Sequence, residues 1–530
     1  MSSTFRLLAD HGLRLRRAFC GVTTGTVEHS GLSPYQRLAN GPMASAFRAD
    51  QRSEQNRKRG DLSPIGSLGV MMKELRSIPA APSALPVAGH LVPLLRDPLA
   101  FLNSLPACGE LVRIRVGPLP VVVICDPELT RQALLDDRVF DKGGPFFDRV
   151  REVMGDDLAS CPYSSHRRLR RLAQPAFHPG RLPGYAQAMS SCIDQVTRSW
   201  REGQIIDVPA ETMTITCKVT TATLFSNTLP PARLGQLLDD VTTVFDGLYQ
   251  RMLLIPPLDR LPTRGNRAYL SARTRLRDTC DQIIAQRRAE GADYGDLLSA
   301  LIAACDPEDG DRGMTDAEIS DTILIFFLAG TETTASVLAW ALHLLARHPE
   351  IEQRLHTEVD TVLGGAPATH ADVPRLTLTA RVITETLRYC SPAWLLTRTV
   401  TADTRLGGYL LPAGTSVAYS PYLIHHRPDL YDQPEVFDPD RWDRERSQPP
   451  RHALIPFAAG ARKCIGDDFA MTQAILALAT ITARWRLEHL SDQQVRTAIA
   501  AVLRPRELRM RATPRTATHA PAVQVSKPIP

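Results

Sequence analysis

At 530 residues, with 43% hydrophobic and 22% charged side chains, the chain is long enough for one very large domain or several, and its composition is that of an ordinary globular protein. The net charge of +5 does not mark a nucleic-acid binder: residues 1–70 hold 10 of the 62 Lys and Arg but only 5 of the 57 Asp and Glu, which leaves 52 of each sign elsewhere. The ten cysteines are scattered, without a C-x-x-C pair or a secretory signal, and read as reduced cytosolic thiols rather than a disulfide framework.

Residues 1–70 mix Arg, Ser, Gly and Gln without sustained periodicity. An apolar stripe in Met1–Gly21 (Phe5, Leu8, Leu13, Leu15) leaves open a short membrane-surface or targeting helix. The reading preferred is a disordered extension, with a true start near Met71 or Met72 and the fold beginning after residue 77. Ile78–Pro98, rich in proline, is expected to run extended over the surface. Val112–Val116 alternates strictly and turns at Gly117-Pro118 into Val121–Cys125, which predicts a β-hairpin. Pro127–Asp136 reads as a helix and Asp141–Asp157 as a long loop of the kind that carries function.

His166–Leu172 opens another helix, with His166 and Arg170 four apart on one face; a solvated basic face is the ordinary meaning of such a run. Helical patterns continue from Leu182 to Ala304, broken at Pro230-Pro231 and Pro256-Pro257. Ile319–Ala346 is the longest apolar helix signal and is long enough to cross a bilayer. Glu332 among Thr331, Thr333 and Thr334 sits in its middle, and acidic rather than basic residues precede it, so a central helix of a soluble protein is expected and no transmembrane span. Small residues at Ala329 and Gly330 leave room beside that helix, and the Thr333 hydroxyl can kink it by bonding its own backbone.

Glu385 and Arg388 share a helix face at i,i+3, a weak signal alone. After several short strands comes Phe457-Ala458-Ala459-Gly460-Ala461-Arg462-Lys463-Cys464-Ile465-Gly466. Arg462, Lys463 and a helix starting just after Cys464 would favour thiolate over thiol, and Gly460 and Gly466 allow a tight turn close to a flat macrocycle. A thiolate held on such a loop is how a protein binds haem iron through cysteine.

The spacing Phe-x-x-Gly-x-Arg-x-Cys-x-Gly resembles the cysteine loop of the cytochrome P450 family, the haem-thiolate monooxygenases, and Ala329–Thr334 and Glu385–Arg388 resemble its oxygen-binding helix and E-x-x-R pair, in the family's order. The resemblance covers roughly residues 78–511 and implies a mostly α (α+β) P450 fold: one domain, a helix bundle around haem with a small β-rich region, then a disordered tail over 512–530. It departs from the common pattern at His166, where many members have Trp, and at Asp440, where Glu is usual.

The resemblance implies Cys464 as the iron ligand, with Phe457, Arg462, Gly466, Ala329 and Gly330 against the haem. It gives His166, Arg170 and Arg398 to the haem carboxylates, with His426 a further candidate. Thr333 and Glu332 take proton delivery during oxygen activation, and Glu385, Arg388 and Arg441 a structural cluster. Val139–Phe147 and Pro392–Arg398 look like actinobacterial sesquiterpene oxygenases of the family, and Phe146, Phe147, Phe245, Trp394 and Leu395 are expected to wall a pocket for an apolar terpenoid.

The implied cofactors are haem b and O2, with electrons from NAD(P)H delivered by a separate ferredoxin and ferredoxin reductase, since no flavin or iron–sulfur motif follows Cys464; a cytoplasmic location follows from the same reading. Other hydrophobic substrates (a polyketide, a fatty acid, a steroid) stay open. So do two other classes, a peroxide-driven peroxygenase, against which Glu332-Thr333 argues, and a haem carrier or sensor without turnover.

Overall fold

The computed structural model describes residues 75–515, apart from 145–146, 149, 152–154, 156, 227–232, 234, 238, 241, 245–246, 248–260, 451 and 492–493. The expected pocket residues Phe146 and Phe245, and both Pro-Pro breaks, lie outside the described residues.

Ile78–Pro98 is extended only at its start, where Arg113 N–H donates to Pro79 O at 2.7 Å. It then coils into helix α1 (Leu91–Arg96), followed by α2 (Pro98–Ser104). The prolines do not prevent this, because Pro93 and Pro98 sit in first turns where a missing N–H costs nothing. The predicted hairpin forms as β1 (Leu111–Val116) and β2 (Leu119–Ile124), antiparallel with Leu111 opposite Ile124. Asp126 then caps α3 (Pro127–Leu135) by accepting from Leu129 N–H. Strand β3 (Phe140–Asp141) leads toward α4 (Tyr163–Ala173).

Next come α5 (Leu182–Ser199), the short strand β4 (Ile205–Asp207), α6 (Val208–Phe225), α7 (Arg264–Glu290), α8 (Leu297–Ala303) and the small hairpin β5–β6 (Cys305–Asp306 and Arg312–Gly313). The central helix α9 (Asp316–Arg347) opens on a capping box between Thr315 and Glu318. It is long and apolar enough to cross a membrane, yet 78% of its most apolar window is buried within the protein. It packs against α6, α7 and the later helix Asp467–Arg484, as the axis of a bundle does. Helices α10 (Pro349–Leu363) and α11 (Thr377–Tyr389) follow.

Strands β7 (Leu396–Val400), β8 (Thr404–Leu406), β9 (Tyr409–Leu411) and β10 (Ser416–Tyr419) precede α12 (Pro421–His425) and α13 (Asp467–Arg484). Strands β11 (Trp485–His489), β12 (Arg496–Ile499), β13 (Leu503–Arg506) and β14 (Arg509–Pro514) end the described chain. The main sheet runs β1-β2-β10-β7-β3, with β10 parallel to β2 and antiparallel to β7.

Two apolar cores result. One fills the helix bundle; the other lies between residues 75–140 and the sheet. Leu75 is fully buried, and Ala512 is fully buried opposite Leu487 in β14. Ordered structure therefore extends past both expected boundaries, 78 and 511. The tail pattern misled because β14 alternates buried Met510 and Ala512 with exposed Arg509 and Arg511, and reads as polar.

Candidate active site

A cavity of about 410 Å³ lies between α9 and the start of α13, and Cys464 is in its wall together with Ala329, Gly330 and Thr333. Its loop is built by backbone constraint. Cys464 N–H donates to Phe457 O at 2.9 Å. Ala458 and Gly460 both have positive φ, and a Cβ on Gly460 would lie 2.4 Å from Leu134 O, so the loop presses on the end of α3 at a point only glycine fits. Gly466, by contrast, has φ of −103° and ordinary contacts, so it is not demanded by backbone conformation.

The surface that Cys464 exposes is cavity wall, and dense packing around it raises its thiol above the ordinary value. A hydrogen bond from Gly466 N–H, and then the charges of Arg170 and Lys142, work in the opposite direction. The two basic residues expected to help are committed elsewhere, while the expected start of a helix does act through Gly466 N–H. Lys463 is paired with Asp467. Arg462 donates to Asp137 at 3.3 Å, to Asp141 at 2.7 Å and to Cys161 O at 2.8 Å. The pull toward thiolate thus comes first from the start of the helix after Cys464, as expected, and then from α4 and the residue after β3 rather than from Arg462 and Lys463.

Beside the cysteine stands a cationic corner. His166 on α4 is buried with Nδ1 unpartnered, and burial followed by the charges of Arg462, Lys142 and Arg170 pushes it down to about 3. Arg170 donates to Lys463 O at 2.6 Å and Gln174 Oε1 at 2.8 Å. Arg398 is buried, donating to Thr397 O at 2.8 Å and Tyr419 Oη at 3.4 Å. An orphaned imidazole nitrogen among several cations suits the two carboxylates of a haem, and a sulfur at the end of a Gly-turned loop suits its iron. The residues present fit that cofactor.

On the facing wall, Thr333 donates its hydroxyl to Ala329 O at 2.6 Å, four residues back. Glu332 does not line this cavity; it is buried, with Oε1 3.6 Å from Arg504 on β13. Ala329, Gly330, Thr333 and Thr334 line the cavity from one broad face of α9, and Glu332 falls on the flank turned toward Arg504.

The Glu385–Arg388 pair is fully buried and bidentate, at 2.9 and 2.7 Å. Arg388 also donates to the carbonyls of His425, Pro434 and Val436, and Arg441 Nε lies 3.6 Å from Glu385. Sequence reasoning missed two partners. Trp442 Nε1 donates to Glu385 at 2.8 Å, and His425 accepts from Ile455 N–H at 2.9 Å, tying α12 to the approach of the Cys464 loop. The adjacent His426, expected near a haem carboxylate, is corrected by the structure: it stacks on Tyr422 and lines a separate cavity with Trp340, His343 and Tyr389.

Trp394 and Leu395 are likewise not among the cavity-lining residues; Trp394 Nε1 is turned to Ala500 O at 2.9 Å. Pro392, Ala393 and Leu396 line the cavity in their place, because the segment before β7 is irregular and its side chains do not alternate between two faces. Phe147 is buried under the Lys142 ammonium, 5.4 Å from its ring, rather than in the wall. The wall that sequence reasoning did not name comes from α6, α8, α9 and α13: Thr220, Leu224, Leu297, Phe326, Phe469 and Met471. No spacing signal distinguishes these from ordinary core positions.

Comparison with known proteins agrees with this geometry. The family model "Cytochrome P450" matches residues 79–510. The chain is 46% identical to a pentalenene oxygenase of Streptomyces avermitilis over 82% of its own length and 97% of the relative's. It is 43% identical to a cyclooctat-9-en-7-ol 5-monooxygenase of Streptomyces melanosporofaciens (81% and 94% covered), and 44% identical to a cyclooctatin synthase from the same organism (82% and 95% covered). The chain belongs to the cytochrome P450 family and is a haem-dependent monooxygenase that uses O2 and electrons from NAD(P)H.

Proposed function

We propose that this enzyme inserts one oxygen atom into an apolar terpenoid of sesquiterpene-like size. The observation that carries the reading is the wall facing Cys464, where Leu224, Leu297, Ile325, Phe326 and Val337 offer aliphatic and aromatic surface and only a few hydroxyls. The names of the relatives, a pentalenene oxygenase and a cyclooctat-9-en-7-ol 5-monooxygenase, support the same substrate class.

When bound, the haem supplies the oxygen activation. In this reading Cys464 is its axial ligand, and His166, Arg170 and Arg398 hold its carboxylates. Phe457, Gly466, Ala329 and Gly330 close around its faces, and Arg462 braces the corner through Asp137 and Asp141. Thr333 holds a proton at Oγ1 beside the space left by Ala329, and Glu332, buried beside Arg504, relays protons inward. Electrons arrive from a separate ferredoxin and ferredoxin reductase, and the enzyme works in the cytoplasm.

The test is a binding screen of terpene hydrocarbons and alcohols against the haem-loaded enzyme, read as a shift of the Soret band. Sesquiterpene-sized ligands should shift it at micromolar concentration. A panel in which only fatty acids, steroids or polyketides do so overturns the terpenoid reading.

A further inference from the structure

Leu224 at the end of α6 and Leu297 at the start of α8 both line the cavity that holds Cys464, although they lie far apart in sequence. Each is one residue away from a group held by Arg287 of α7. Arg287 Nη2 donates to Phe225 O at 3.0 Å and to Asp296 Oδ2 at 2.8 Å, and Nη1 donates to Ser299 Oγ at 3.2 Å. One planar guanidinium therefore fixes the last residue of α6, the N-cap of α8 and the first turn of α8 in a single set of directions, which the point charge of a lysine does not do.

The pair is out of water. The side chains of Arg287 and Asp296 are 3% and 2% exposed, and the guanidinium lies 3.8 Å from the centroid of the Tyr294 ring. Asp296 is held from two further sides. Its Oδ1 accepts from Ser299 N–H at 2.9 Å, which caps α8, and its Oδ2 also accepts from Ser226 Oγ at 2.8 Å. Ser226 has a φ of +50°, in the left-handed region that residues other than glycine rarely adopt, so the chain leaving α6 is kept in a conformation it does not favour alone.

A buried ion pair is a costly way to join helices, because both charges lose their hydration and apolar residues of similar volume often hold as well or better. What the pair adds is direction. Here it fixes the backbones that carry two wall leucines, from behind the cavity, and neither Arg287 nor Asp296 lines it.

We infer that Arg287 and Asp296 are positioning residues for substrate specificity: by fixing the spacing of Leu224 and Leu297 they set how large a ligand that part of the wall admits. The inference rests on the reading of this cavity as a terpenoid site.

The experiment titrates the haem-loaded, full-length enzyme with the sesquiterpene β-caryophyllene and with the diterpene cembrene, read as the shift of the Soret band. The double variant Arg287→Met, Asp296→Asn leaves no unpaired buried charge and keeps an N-cap for α8. Its ratio of Kd values for the two ligands should move about tenfold in favour of the larger, the scale on which apolar pockets discriminate size. Leu224→Ala with Leu297→Ala should move the ratio the same way. Combining all four changes should move it no further, because both pairs act through the same wall. Ser226→Ala, which leaves the ion pair in place, should give a smaller shift in the same direction.

An unchanged ratio in Arg287→Met, Asp296→Asn, or a shift that adds in full to that of the leucine variants, assigns the ion pair to stability alone and overturns the inference. If that variant yields no haem-loaded protein, Ser226→Ala decides, and an unchanged ratio there overturns the inference equally. If wild type binds neither terpene, the terpenoid reading falls and this inference with it.

Discussion

Glu332 and Arg504 meet at 3.6 Å between α9 and β13, on a side of the helix away from the cavity, while the next residue, Thr333, lines it. The acid and the alcohol of the oxygen-binding segment therefore address different spaces. Any proton passing between them has to travel around or through the backbone turn that Thr333 holds at Ala329 O.

Thr333→Ala should leave substrate affinity and haem spectra near wild type while diverting NADPH consumption from product to hydrogen peroxide. Arg504→Met should slow turnover with coupling less affected, because it perturbs the acid and leaves the hydroxyl in place. Product and peroxide per NADPH, measured for both variants, check this; unchanged coupling in Thr333→Ala would remove the hydroxyl from proton delivery.

Cys464→Ser should abolish the red-shifted Soret band that a thiolate ligand gives the reduced carbon monoxide complex. The loop backbone, fixed by Cys464 N–H to Phe457 O and by Gly460 against Leu134, should survive the change. Near-wild-type circular dichroism alongside the lost band is the expected pair of results.

Arg388→Leu should be far more damaging than its distance from the cavity suggests. It strands the Glu385 carboxylate and removes donors to three carbonyls in a fully buried cluster. Breaking one side of a buried pair costs about 3–5 kcal/mol. Urea unfolding midpoints and the yield of haem-loaded protein report it.

Stability should fall as the medium is acidified below neutrality. His343 and His426 are held down to about 4 in the folded protein, chiefly by burial, and return to their ordinary value near 6.5 on unfolding. The unfolded chain then binds more protons, so the stabilisation is complete above pH 6.5 and is lost as pH falls toward 4, at up to about 1.4 kcal/mol per pH unit for each histidine. Asp157, raised to about 6 by burial, opposes this over part of the same range. Urea unfolding at pH 7 and pH 5 should show the loss, and a His343→Gln, His426→Gln double variant should show less of it.

Deleting residues 1–70 should leave haem content and melting temperature nearly unchanged. The family match begins at residue 79, and the segment shows no sustained apolar periodicity in sequence. Loss of soluble, haem-loaded protein on truncation would show that the extension contributes to the fold.

What the sequence made readable was whatever depends on fixed local spacing. The Cys464 loop, the E-x-x-R pair, the β1–β2 hairpin and the long α9 all carry their signal within a few residues. What it hid was side-chain direction and long-range partnership. His425 rather than His426 turns toward the Cys464 loop, and Leu396 rather than Leu395 faces the cavity; each differs from the expected residue by one position, the difference between two faces of a helix or strand. The commitment of Arg462 to Asp137 and Asp141 had no local trace at all, although the capping box at Thr315 and Glu318 did and could have placed the start of α9.

The joint at Arg462 also sets a timetable. It binds the chain at residues 137, 141 and 161 to a residue about 300 positions later, so the rim of the cavity depends on contacts between the first and last thirds of the protein. Contacts of such separation form late, after the loop-closure entropy of everything between them has been met. During synthesis that rim must stay open until the Cys464 loop and α13 have left the ribosome. A chain cut off before residue 462 would keep His166, Arg170 and Arg398 but lack both the Arg462 joint and the Cys464 loop that complete the cavity.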